Sequence, residues 1–112
     1  MLPRAHRVVQ GDDFRRAVRR GRRISSPHAV LYRLVGEDDG PRFGVIVSKQ
    51  VGGAVVRNRI RRRILSICAS ALTEVPTSDL IVIRALPGAH EASWDTLRTE
   101  ISDGLRRAVT AS

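Results

Sequence analysis

The chain has 112 residues, and 42% of them are apolar, which is enough for the core of one compact domain. Twenty basic residues against eleven acidic ones give a formal net charge of +9, and Lys49 is the only basic residue that is not arginine. No apolar stretch approaches the roughly 20 residues of a transmembrane helix, and the N-terminus lacks the apolar run of a secretory signal. A single cysteine, Cys68, excludes an internal disulfide or a cysteine metal site. We therefore expect residues 1–112 to form a single soluble, cytoplasmic domain whose partner is a polyanion.

The first predicted helix runs from about residue 14 to residue 20. Asp12 or Asp13 is placed to cap it, and Gly21 is placed to end it. Phe14 and Val18 are four residues apart and therefore share one helix face. The other positions carry basic side chains that we expect to contact phosphates without base preference: Arg15, Arg16, Arg19 and Arg20.

Two apolar segments rich in β-branched residues, residues 28–35 and 42–48, predict strands. The turn between them, at residues 36–41, is short, which favours an antiparallel hairpin. Along the first strand Tyr32 alternates onto one face together with Val30 and Leu34.

The second half of the chain predicts two helices around a short strand. From about residue 55 to residue 72 the apolar residues recur at helical spacing: Val56, Ile60, Ile64, Ile67 and Ala71. Residues 80–83 form a continuously apolar run, typical of a strand buried on both faces. Ser93 is placed to cap a last helix with its own apolar stripe: Trp94, Leu97, Ile101, Leu105 and Val109. The order αββαβα predicts an α+β sandwich in which a strand–helix–strand crossover joins the second and third strands.

The helix at residues 55–72 opens with a concentration of positive charge that folding alone disfavours. Five of the seven residues 57–63 are arginine, and no acidic residue occurs between residues 40 and 73. Cations are unfavourable at a helix N-terminus, and each like-charge pair at i, i+4, such as Arg57 and Arg61, costs about 0.2–0.5 kcal/mol. A phosphate backbone would supply the missing counter-charge, because free helix N–H groups, the helix dipole and guanidinium forks attract the same anion.

The alternative reading is an inert solvated surface, but such surfaces usually mix both signs of charge. Gly52 and Gly53 allow a close approach of the backbone, and Asn58 adds a neutral group that can contact a ribose or a base. Helix geometry points Asn58 and Arg62 away from the apolar stripe. The candidate RNA-binding residues are Lys49, Arg57, Asn58, Arg59, Arg61, Arg62 and Arg63.

The segment Val47–Arg62 resembles the Arg-Asn-Arg signature of the bacterial ribonuclease P protein family. The likeness extends to Leu2, to the segments at residues 6–7 and 13–14, to both early strands, and to residues 79–83. The chain departs from the family pattern at Val18 and Ala29, where aromatic residues are common.

This resemblance implies a ribosomal protein S5 domain 2-like fold with a left-handed βαβ crossover, contrary to the usual right-handed rule. It also implies an RNA-binding subunit that assists a catalytic RNA in removing the 5′ leader of precursor tRNA by endonucleolytic cleavage. One protein would bind each RNA, and Mg²⁺ would be bound with the RNA subunit. The helix at residues 55–72, called the arginine helix below, would face the RNA subunit. The leader would occupy a cleft that contains Phe14, Val18 and Tyr32.

Nothing in the sequence indicates an active site in the protein itself. His6, His28 and His90 have no ligand spacing, so we expect no metal or cofactor bound by the protein alone, and Cys68 is expected to be a core residue. A ribosomal or ribosome-associated RNA-binding domain without a nuclease role would share the charge pattern. A protein-only nuclease would require acid–base groups or clustered carboxylates, and a DNA-binding domain would be expected to carry a helix-turn-helix pair.

Overall fold

The computed structural model describes residues 2, 6–7, 11–35, 41–75 and 79–110. The elements in chain order are helix α1 (Gly11–Arg20), strands β1 (Arg22–Ser25), β2 (Ala29–Val35) and β3 (Arg42–Ile46), helix α2 (Ala54–Ser70), strand β4 (Asp79–Ala85) and helix α3 (Trp94–Thr110). Short 3₁₀ turns occur at Leu72–Glu74 and Ala89–Glu91. The α+β class is confirmed, but the predicted order lacked β1, so the observed order is αβββαβα.

The four strands form one sheet in the order β1-β2-β4-β3. Strand β2 is antiparallel to both β1 and β4, whereas β3 is parallel to β4. The predicted hairpin between residues 28–35 and 42–48 is therefore wrong, because β4 lies between those two strands. Its apolar residues Leu80–Ile83 are fully buried and need a neighbouring strand on each side. The hairpin that does form joins β1 to β2, while most of the predicted turn, residues 36–40, lies outside the described residues.

The crossover from β3 through α2 to β4 joins two parallel strands, as predicted. Its left-handed sense stays a prediction.

Helices cover both faces of the sheet. Helix α1 packs on β2 and β4, where Ala17, Tyr32 and Val82 belong to a small buried cluster. Helices α2 and α3 cover the opposite face and enclose the larger core, to which they contribute Ile60, Ile64, Ile67, Leu97 and Ile101. A buried ion pair links β2, β4 and α3. Arg33 Nε lies 2.6 Å from Asp79 Oδ2, and Arg33 Nη1 donates to the carbonyl of Ala108 at 2.6 Å.

Helix α1 begins three residues earlier than predicted, so Asp12 and Asp13 lie in its first turn and not at the cap position. Carboxylates in the first turn stabilise a helix through its dipole. The helix ends at Gly21 as predicted, and the Gly21 N–H donates to the Ala17 carbonyl at 2.8 Å. A Cβ at Gly21 would collide with that carbonyl oxygen and lie 3.0 Å from the carbonyl oxygen of Arg33, so the close approach requires glycine. The predicted cap of α3 is confirmed, because the Thr96 N–H donates to Ser93 Oγ at 3.0 Å.

Candidate nucleic-acid interface

Helix α2 has a buried apolar side and a solvent-facing basic side. Ile60, Ile64 and Ile67 are buried against the core, which confirms the predicted apolar stripe. The basic candidates occupy the remaining surface. Asn58, Arg59 and Arg62 are exposed on the outer face, while Arg57, Arg61 and Arg63 are half-buried at its edges. Lys49 is exposed in the turn that precedes the helix.

The arginines of α2 have no counter-charge among the residues that the structure describes. Among the described residues, no carboxylate lies within ion-pair distance of any arginine from residue 57 to residue 63. Two side-chain contacts with other described residues involve this cluster: Arg61 Nη1 donates to Asn58 Oδ1 at 3.1 Å, and the Arg63 guanidinium lies over the Trp94 ring. Neither contact neutralises a charge.

The start of α2 adds to the same positive potential. Gly53 is the N-cap residue and offers no side-chain acceptor, and the first turn contains no acidic residue. The first N–H groups and the positive end of the helix dipole are therefore available to an anion.

A groove lies between α1 and the sheet. Its volume is about 310 Å³, and its lining combines apolar and basic side chains: Phe14, Arg15, Val18, Arg19, Ile46 and Arg84. Surfaces that bind single-stranded nucleic acid combine cations that follow the backbone with aromatic side chains on which bases stack. The groove supplies three arginines and one aromatic side chain, Phe14.

Two of the three predicted cleft residues line the groove. Phe14 is half-buried, and Val18 is 37% exposed. Tyr32 is only 6% exposed and belongs to the small cluster beneath α1. The structure therefore places Tyr32 under the groove and not in its lining, because α1 covers the face of β2 on which Tyr32 lies.

The four arginines predicted in α1 fall into two groups. Arg15 and Arg19 line the groove, and Arg15 is also ion-paired with Asp12. Arg16 is held 3.4 Å from an Asp13 carboxylate oxygen. Arg20 is exposed but is not part of the groove lining.

Sequence reasoning missed Arg84 and Ile46 as groove residues. Strand β4 continues to residue 85, so Arg84 lies two residues beyond Val82 and shares its face. The signal was present in that alternation, but a predicted strand end at residue 83 concealed it. Ile46 pairs with Arg84 in the parallel register and precedes Lys49 by three residues. One short loop therefore joins the groove to the arginine helix.

The histidines and Cys68, considered as catalytic or metal-binding groups, do not come together in one site. His6 Nδ1 lies 2.6 Å from the Pro41 carbonyl, and His28 Nδ1 lies 2.6 Å from Glu100 Oε2. Within the part of the chain that the structure describes, no group of three or more histidine, cysteine or acidic residues could hold a metal ion. Cys68 is a core residue, as predicted, and burial raises the pKa of its thiol, which stays protonated.

None of the described helices has the length and apolar character needed to cross a membrane. A basic helix with no carboxylate partner among the described residues, together with a mixed cationic and apolar groove, places this domain in the class of RNA-binding α+β proteins. Comparison with known proteins then gives the family. A sequence model of the family described as Ribonuclease P matches residues 2–109, and the chain belongs to that family.

Individual relatives agree with this assignment. The chain is 50% identical over 110 residues to a ribonuclease P protein component of Clavibacter michiganensis, an alignment that covers 97% of each chain. It is 44% identical over 109 residues to that of Acidothermus cellulolyticus, covering 96% of this chain and 91% of the relative. The resemblance inferred from the sequence is confirmed.

Solved structures share the fold. The ribonuclease P protein of Staphylococcus aureus superposes with a TM-score of 0.84 at 26% identity, covering 92% of this chain and 94% of that one. The ribonuclease P protein of Thermotoga maritima, at 22% identity, has the same fold with a TM-score of 0.80, covering 90% of this chain and 96% of that one.

Proposed function

We propose that this chain is the RNA-binding protein subunit of ribonuclease P, the endoribonuclease that removes the 5′ leader from precursor tRNA. Family membership over residues 2–109 and relatives named as the protein component support this role. The observation that carries the proposal is the exposed basic face of α2, which has no carboxylate partner among the described residues.

The basic face of α2 binds the catalytic RNA in this proposal. Exposed guanidinium groups present several N–H donors to phosphate oxygens, and the free N–H groups of the helix start attract the same anions. The contacting residues are Lys49, Arg57, Asn58, Arg59, Arg61, Arg62 and Arg63. Their role is electrostatic and positional.

The groove between α1 and the sheet binds the single-stranded leader. Arg15, Arg19 and Arg84 bind its phosphates, while Phe14 and Val18 provide apolar contacts for the bases. Holding the leader on the same basic domain that binds the catalytic RNA lowers the repulsion between the two RNA molecules. Cleavage is thereby favoured at a lower concentration of divalent cation.

The chemistry itself belongs to the RNA subunit in this account. Mg²⁺ is bound with that RNA, one protein binds each RNA, and the assembly works in the cytoplasm. The protein supplies no acid, base or metal ligand to the reaction.

A precursor-tRNA cleavage assay at low Mg²⁺ tests the proposal, using a bacterial catalytic RNA with and without this chain. The chain is expected to raise the cleavage rate, and the increase is expected to shrink at high Mg²⁺ or when the leader is cut to one or two nucleotides. No increase would favour the alternative of a ribosome-associated RNA-binding domain. Cleavage by the chain without any RNA subunit would instead identify a protein-only nuclease.

A further inference from the structure

Arg63 differs from the other arginines of α2 because an aromatic ring supports it. Its Cζ atom lies 5.6 Å from the centroid of the Trp94 ring, and both side chains are half-buried. Trp94 is the first residue of α3 and the only tryptophan of the chain. Helices α2 and α3 pack against each other, and Trp94 packs against the core that both helices cover.

Contact with an aromatic ring affects RNA binding by an arginine differently from an ion pair with a carboxylate. A guanidinium held over an indole keeps its charge, and no hydrogen bond to another described residue uses the N–H donors of Arg63. A carboxylate partner would use some of those donors and cancel the charge, as Asp12 does for Arg15 in α1. Arg63 therefore keeps both its full charge and its donors while the ring restricts its side chain.

We propose that Trp94 is a positioning residue for RNA recognition, one that holds Arg63 ready to bind a phosphate of the catalytic RNA. This inference rests on the proposed function of α2. A free arginine side chain loses rotamer freedom when it binds, whereas a side chain already held by a ring loses less. This pre-ordering is expected to tighten RNA binding by about threefold to tenfold.

A double-mutant cycle tests the proposal, with Trp94→Leu, Arg63→Gln and the combined variant. The Kd of each for the catalytic RNA is measured at one salt concentration, beside its thermal unfolding. Trp94→Leu leaves the charge unchanged and is expected to weaken binding by about threefold to tenfold. In the Arg63→Gln background the same substitution is expected to have no further effect on the Kd. An equal loss in both backgrounds would show a merely structural role and overturn the proposal.

The variant Trp94→Phe repeats the cycle if Trp94→Leu does not fold, because phenylalanine fills much of the site but attracts cations less than tryptophan does. A matched control is Arg98→Gln, which removes one charge from α3 at a side chain paired with Asp95 and is expected to change the Kd less than about twofold. A loss for Arg98→Gln as large as that for Arg63→Gln would also overturn the proposal.

A spectroscopic readout is independent of RNA. Because Trp94 is the only tryptophan, Arg63→Gln is expected to change the fluorescence of the free protein, and an unchanged spectrum would contradict the contact. Failure of the proposed function and failure of this inference give different results. If the unmodified chain does not bind the catalytic RNA, the proposed function fails. If it binds but the cycle is additive, only the role of Trp94 fails.

Discussion

Replacing Arg59 and Arg62 by alanine removes two charges from the exposed face of α2 and leaves its buried stripe intact. Neither guanidinium has a carboxylate partner among the described residues. The free energy of unfolding is therefore expected to change by no more than about 0.5 kcal/mol. Loss of the repulsion between Arg59 and Arg63, one helical turn apart, acts in the stabilising direction.

The loss of RNA affinity follows from counter-ion release. Each phosphate contact releases about 0.7–0.9 of a counter-ion, so the slope of log affinity against log salt is expected to become shallower by about 1.4–1.8. At about 0.1 M salt this release contributes about 1 kcal/mol for each contact. The double variant is therefore expected to bind the catalytic RNA about thirtyfold more weakly than the unmodified chain.

The assay measures the Kd for the catalytic RNA over a range of salt concentrations and thermal unfolding under the same conditions. A matched control, Arg98→Ala with Arg107→Ala, removes the same charge from exposed positions of α3 and is expected to weaken binding by less than about threefold. Two results would refute the reasoning: a control as damaging as the α2 variant, or a loss of folding stability in the α2 variant that accounts for its weaker binding.

Three further predictions concern the groove and the fold. Val18→Phe adds an aromatic platform to an exposed groove position and is expected to tighten leader binding by about 1 kcal/mol or more, as measured with a single-stranded oligonucleotide; an unchanged Kd would contradict the groove assignment. Gly21→Ala is expected to lower the free energy of unfolding by about 2 kcal/mol or more, because its Cβ meets the carbonyl oxygens of Ala17 and Arg33; a denaturant titration that shows no loss would contradict that packing. Asp79→Ala leaves Arg33 buried without its partner and is expected to cost about 3–5 kcal/mol in the same titration, whereas a cost below about 1 kcal/mol would mean that water reaches the pair.

Periodicity in the sequence predicted helices α2 and α3 well because each buries one continuous stripe. Ile60, Ile64 and Ile67 of α2 recur at helical spacing and are all buried. The cap of α3 was also predictable, since Ser93 precedes the first apolar residue of its helix. Local sequence patterns were enough to predict an element that packs one face against the core.

Strand order was less predictable because it depends on long-range pairing. Strand β1 is an edge strand with one buried side chain, Ile24, between exposed arginine and serine residues, so its sequence resembles a loop. The short connection before Arg42 favoured a hairpin, although the apolar run at residues 80–83 already indicated a strand buried on both faces. A strand of that kind belongs in the centre of a sheet, and its position there separates β2 from β3.

The arginine face of α2 and the groove also differ in how far the sequence predicts them. The arginine face of α2 could be predicted because its residues are consecutive and their charges have no counterpart nearby in sequence. The groove is assembled from α1, β3 and β4, so Arg84 and Ile46 emerged only from the register of the parallel strands. Tyr32 lies outside the groove lining for a related reason, since the position of α1 decides which residues of β2 are covered.

The salt dependence of binding to the catalytic RNA tests the central claim most directly. Lys49 and the arginines at residues 57, 59, 61, 62 and 63 together offer about six phosphate contacts, which correspond to a log–log slope of about −4 to −5. We predict a slope in that range, because these are the residues that we assign to the catalytic RNA. A slope of about −1 or shallower, with the protein folded throughout, would contradict the claim that this helix binds an RNA backbone.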